Sequence, residues 1–180
     1  MSGGIKAWNS DTAFGSEDTG MALFSGKEGL EEVLLIAYAL EDGLQDFYTS
    51  MQERVTLKEV KALFGKLSAI EEKHQDRLFA EYQAISADAL SREAFERNAA
   101  VQSMEGGLTT EEYLALYPTD LEVTSEVISL AMGIEAQAFD LYLRAADNCS
   151  LEATKQALRR IAEEERTHLK LLGDLLDETA

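Results

Sequence analysis

The sequence predicts an all-α fold: an antiparallel four-helix bundle with a long crossover between its second and third helices. Three observations predict it. Four segments carry apolar residues at alternating steps of four and three, the stripe of a helix with one buried face. Residues 37–48 align without gaps on residues 131–142, so the chain contains an internal repeat with an offset of 94 residues. The breaks after the first and third segments are short, which makes each pair an antiparallel hairpin. Some thirty residues separate the second segment from the third, enough to run the length of a bundle.

The first 25 residues are rich in Gly, Ser and Asp and show no sustained period, so they read as a flexible segment ahead of a bundle spanning 26–180. Within them Gly3-Gly4-Ile5-Lys6-Ala7-Trp8 resembles the closing motif of a rhodanese domain. The catalytic cysteine loop of that domain is absent here, so sulfur transfer is not implied.

The first helix is expected from Ser25, where Ser25 and Glu28 form a capping box, with Leu30, Leu34, Ala37, Glu41, Leu44, Tyr48 and Met51 inward. Thr56 and Glu59 suggest a second capping box. The helix it opens turns Val60, Phe64, Leu67, Glu71, His74, Leu78 and Ile85 inward. Short helical pieces are expected from Ser91 and from Thr109, around Glu105-Gly106-Gly107, and Pro118 closes the crossover. The third helix begins near Asp120 and buries Ile128, Ala131, Glu135, Ala138, Tyr142 and Ala145. After a turn at Asn148-Cys149-Ser150, the fourth buries Leu158, Ile161, Glu165, His168, Leu172 and Leu175.

Composition narrows the function. A net charge of −18 over 180 residues argues against nucleic acid and anionic membranes, and a solvated acidic helical surface accounts for it. The single cysteine, Cys149, leaves no disulfide framework and no Cys-x-x-Cys metal site, which fits a reducing, cytoplasmic setting. The longest apolar run, residues 33–40, is far short of the ~20 residues that span a bilayer. No basic-then-apolar signal segment opens the chain.

The chemistry lies in the seams. Each of the two histidines has a glutamate three residues before it, so Glu71 and His74 share a helix face, as do Glu165 and His168. A further glutamate lies thirty residues upstream of each pair, at Glu41 and Glu135, and the 94-residue offset carries the first triplet onto the second. Counting from the turns, Glu41 and Glu71 both lie ~21 to 23 Å away at 1.5 Å per residue, and the second pair is level in the same way. Four carboxylates buried together without cations would cost several kcal/mol each. Two divalent ions would neutralise them, and mixed carboxylate and imidazole ligands suit iron or manganese better than zinc.

With that ligand set the sequence resembles the ferritin-like di-iron carboxylate family, in its rubrerythrin-like branch, over about residues 30–175. A rhodanese domain ahead of such a bundle is an arrangement the family shows. The resemblance implies Glu41 and Glu135 as terminal ligands, Glu71 and Glu165 as bridges, and one metal each for His74 and His168. It places Tyr48 and Tyr142 behind the ligands, where core packing with a satisfied hydroxyl is the competing reading. Asp46 and Asp140 are also repeat-related but fall on a solvated face.

The implied activity is reduction of H2O2 or O2 by a pair of Fe(II) ions. One alternative is iron handling of the ferroxidase kind without storage, and another is a bundle that binds metal and turns nothing over. Full rubrerythrins add a rubredoxin module with paired Cys-x-x-Cys, so here electrons would come from an external donor such as a rubredoxin. Ala138 stands where those proteins have a further glutamate, and Glu72 stands where bacterioferritin has its haem methionine, so no haem is expected. Apolar residues such as Phe47, Phe79 and Phe139 suggest an outer face on which two copies pair as a homodimer.

Overall fold

The computed structural model describes residues 23–103, 111, 114–115 and 117–179. The expectations for the rhodanese-like motif, for residues 1–22 and for Glu105-Gly106-Gly107 lie outside them, as does most of the piece expected from Thr109. Among the described residues five helices are formed: α1 Leu30–Arg54, α2 Lys58–Ile85, α3 Arg92–Ser103, α4 Thr124–Asn148 and α5 Glu152–Thr179. There is no strand among the described residues, and no helix is long and apolar enough to cross a membrane.

α1 packs along α2 and α4 along α5, and the two hairpins meet where α1 approaches α5 and α2 approaches α4. Cross-helix contacts give the register. Glu41 faces Tyr142 and Tyr48 faces Glu135, so α1 runs antiparallel to α4. His74 stacks on His168 while Glu81 pairs with Arg160, so α2 runs antiparallel to α5. The long crossover therefore joins two parallel helices, α2 and α4, as its length requires.

The buried seam residues form two apolar clusters. Leu34, Ala37, Leu78, Tyr142, Ala145, Leu158 and Ile161 belong to one, and Tyr48, Met51, Phe64, Leu67, Ile128, Ala131 and Leu172 to the other. In sequence each of Glu41, Glu71, Glu135 and Glu165 stands between a member of one cluster and a member of the other. Burying each large side chain contributes about 1.5–3 kcal/mol, so two such clusters can clamp a polar layer neither would tolerate alone.

Several local expectations are corrected. α1 begins at Leu30, not Ser25. Ser25 and Glu28 do interact, Ser25 N and Oγ donating to Glu28 Oε1 at 2.6 and 2.5 Å, but they close a turn ahead of the helix. That turn is tied to the α4–α5 connection by Ser150 N donating to Gly26 O at 3.3 Å. Gly26 has φ +81°, and a Cβ there would lie 2.6 Å from Asn148 O. Thr56 does not cap α2, since its hydroxyl donates to Glu122 at 2.8 Å, and the helix starts after Leu57 without a side-chain cap. α4 starts at Thr124 rather than near Asp120. Ile85, at the last turn of α2, is 41% exposed instead of inward.

The outer phenylalanines are also corrected. Phe47 is buried against Tyr48, with ring centroids 5.7 Å apart, and Phe79 is half-buried against Phe95 of α3 at 5.2 Å. Phe139 is half-buried against the first cluster. α3 is the reason Phe79 is not free. It lays fully buried Phe95 onto Tyr38, Phe79 and Tyr82, and Arg92 pins it by donating to Glu96, Asp76 and the Tyr38 hydroxyl at 2.7, 2.7 and 3.1 Å. The first part of the crossover thus packs on the α1–α2 hairpin.

Candidate metal centre

All six residues singled out by the seams converge. Glu41, Glu71, Glu135 and Glu165 are at most 1% exposed, and His168 is buried with them. His74 Nδ1 lies 3.4 Å from Glu41 Oε2 and 3.2 Å from Glu71 Oε2. Its repeat mate does the same, with His168 Nδ1 3.1 Å from Glu135 Oε2 and 3.4 Å from Glu165 Oε2. The imidazoles stack at 4.8 Å with planes 6° apart, so each ring presents one nitrogen to its own carboxylate pair. His168 also comes within 3.9 Å of Glu71, which links the halves.

Among the described residues three groups have donor atoms within 4.8 Å of one another and could hold a metal ion: Glu71, His74 and His168; Glu41, His74 and Glu165; and Glu135, Glu165 and His168. Glu71 and Glu165 stand out, because all four of their carboxylate oxygens are buried and accept no hydrogen bond, the imidazole nitrogens beside them being out of line for one. Buried carboxylates are normally paired or bound to a cation, so this pattern fits a site built for metal.

The electrostatics agree. Burial, then the charges of Glu41 and Glu135, push Glu71 up to about 11, and burial with the same neighbours raises Glu165 well above the carboxylate range. Burial also pushes Glu41 up, but hydrogen bonds from His74 and Glu71 and the imidazole charges outweigh it and hold Glu41 below its ordinary value. His168 is raised: burial lowers it, and the Glu135 hydrogen bond and charge more than compensate. Without cations the centre therefore retains protons, which metal binding would have to displace.

The tyrosine hydroxyls do more than pack. Tyr48 donates to Glu135 Oε1 at 2.5 Å, and Tyr142 reaches Glu41 Oε1 at 3.5 Å, each crossing to the ligand set of the other repeat. Burial, and next the facing glutamates, raise both phenols well above their ordinary value, so both remain protonated donors at neutral pH. Phe24, ahead of α1, packs edge-on against Tyr142 at 6.4 Å. Asp46 and Asp140 are exposed, Asp140 pairing with Arg144 at 2.8 Å, and Glu72 is exposed too. Ala138 is half-buried against the first apolar cluster.

Sequence reasoning missed the neighbours of the histidines on the α2–α5 seam. Arg77 pairs with Glu164, and Arg160 pairs with Glu81 at 2.5 Å. The signal available was a departure from the repeat, since the offset carries Arg77 onto Leu171 and Ile70 onto Glu164.

A family model described as Rubrerythrin matches residues 32–176. Among solved structures, one described as a hypothetical protein from Pyrococcus furiosus is similar, with 22% identity over 83% of this chain and 89% of that chain and a TM-score of 0.49. Among curated proteins, none matches.

Proposed function

Because this chain belongs to the rubrerythrin family, we propose that its centre holds two iron ions and that the protein is a non-haem di-iron oxidoreductase. The observation that carries this reading is that the four buried carboxylate oxygens of Glu71 and Glu165 accept no hydrogen bond, although each carboxylate lies beside an imidazole of its own helix. Glu71 and Glu165 would bridge the pair, Glu41 with His74 and Glu135 with His168 would complete the two ends, and manganese is the competing occupant. Bound iron would supply one electron per ion to H2O2 or O2, and an external donor such as a rubredoxin would restore both.

The chain's own residues do the rest. The apolar clusters exclude water and hold the ligands at one height. Tyr48 and Tyr142 keep Glu135 and Glu41 oriented, and their hydroxyl protons lie one hydrogen bond from the ligands. Reducing H2O2 to two waters consumes two protons with the two electrons; the protons come from solvent, and the two phenols hold the carboxylates in place throughout. A cytoplasmic setting and a homodimer belong to the same proposal, the latter to be read by light scattering.

Ala138 supports a second reading, iron handling of the ferroxidase kind without storage, because the position one turn past Glu135 carries no further carboxylate. One experiment separates the two. Anaerobically Fe(II)-loaded protein is mixed with H2O2 or O2 in a stopped-flow instrument, and Fe(III) retention is followed with a chelator. Faster oxidation by H2O2 with iron retained supports the oxidoreductase. Faster oxidation by O2 with Fe(III) released supports iron handling, and a chain binding one ion or none refutes both.

A further inference from the structure

The centre comes nearest to solvent along the α2–α5 seam. His74 is 13% exposed, against 6% for His168 and at most 1% for the glutamates. One turn along that seam from the stacked imidazoles, Arg77 of α2 pairs with Glu164 of α5, bridging the same two helices beside the more exposed ring.

The repeat sets this pair apart. The 94-residue offset preserves all six converging side chains and both tyrosines, yet it replaces the Arg77–Glu164 rung with Leu171 and Ile70. An apolar rung gives a hydrated cation no ligand, whereas a carboxylate next to Glu165 does.

Two details bear on what the pair does. Glu164 Oε1 is held by Arg77, but its Oε2 is buried and accepts no hydrogen bond, so half of the carboxylate is uncommitted. Burial lowers Arg77 from its ordinary value, while the charges of Glu41, Glu81 and Glu165 support it, so the guanidinium senses carboxylates of the centre itself.

We propose that Arg77 and Glu164 form the gate by which divalent metal cations enter the centre, with Glu164 passing the ion inward and Arg77 closing the seam. The inference rests on the metal-centre reading above. Opening requires only that the long Arg77 side chain swing out, which frees the Glu164 carboxylate one helical turn from His168 and next in sequence to Glu165. The two residues therefore act on entry with opposite sign, as a carboxylate attracts the incoming ion and a guanidinium repels it.

The test mixes the metal-free full chain with Co2+ and follows the visible absorption of the bound ion, with occupancy measured by elemental analysis. Glu164→Gln is expected to load roughly tenfold more slowly and Arg77→Met faster by a similar factor, the scale on which local charge alters ion encounter. Both should reach wild-type final occupancy, and extraction by a chelator should rank the variants in the same order. Ile70→Ala and Leu171→Ala, at the repeat-equivalent rung, should load at the wild-type rate. The gate is refuted if Glu164→Gln and Arg77→Met both load at the wild-type rate, or if both shift in the same direction, the mark of a merely loosened seam. Leu171→Ala loading as fast as Arg77→Met would also refute it, placing the entrance at the other rung. A wild-type chain that takes up no Co2+ overturns the gate together with the metal centre, whereas two ions bound with unchanged variant rates overturns the gate alone.

Discussion

Tyr48 donates to Glu135 at 2.5 Å, whereas Tyr142, its mate in the repeat, reaches Glu41 only at 3.5 Å. The two halves of the centre thus share residue types but not bond lengths. A good hydrogen bond to a buried carboxylate is hard to replace, so Tyr48→Phe should destabilise the metal-free protein by about 1–3 kcal/mol. Tyr142→Phe should cost less than about 1 kcal/mol, because little bond is lost at the longer distance. Denaturant titration of both variants checks this, and equal losses would contradict the asymmetry.

Metal-free stability should fall as pH rises. Glu71 is raised from 4.5 to about 11 in the folded chain, so between those values the folded state keeps a proton that the unfolded state has released. Glu165 is raised too and acts in the same direction. His168, also raised, contributes stability below its ordinary value that is lost as pH climbs. Glu41, held below its ordinary value, works the other way, but only once pH falls into the carboxylate range. Thermal melts from about pH 5 to pH 9 should show a declining Tm for metal-free protein and a flatter one after metal loading. A metal-free Tm that rises across that range would rule this out.

Glu71→Gln or Glu165→Gln should separate folding from metal binding. Either keeps the volume and removes a buried acid, so metal-free Tm should hold or rise and lose part of its pH dependence. Occupancy should drop below two ions per chain. Near-wild-type occupancy would show that these carboxylates do not bridge.

Ala138→Glu should add a fifth carboxylate one turn past Glu135. If that group is what limits peroxide chemistry here, turnover with an added rubredoxin should increase. Unchanged turnover at full iron occupancy would remove Ala138 from the account.

Some features were legible because they are local. A stripe of period 3.6 needs only sequence, and the rise per residue places Glu41 level with Glu71 and Glu135 level with Glu165 whatever surrounds them. Helix starts were less legible. Ser25 and Glu28 make the hydrogen bonds of a capping box but serve a turn docked on the α4–α5 connection, and Thr56 leaves its helix for Glu122. A cap motif states which groups can bond locally, and a competing partner brought from afar decides whether they do. Phe79 reads as an outer residue only because nothing in the sequence announced that Phe95 of α3 would fold back over it.

The sequence by itself determined the four seams, the repeat and the six converging side chains, because helical periodicity and a single offset are properties of the chain taken one residue after another. Only the tertiary structure decided that each tyrosine crosses to the other repeat's glutamate, that Glu71 and Glu165 are the carboxylates left without donors, and that Arg77 meets Glu164 beside His74. The physical reason is that these contacts join α1 to α4 and α2 to α5, helices distant in sequence. Their register is set by how two apolar clusters pack on either side of a charged layer, which no local pattern records.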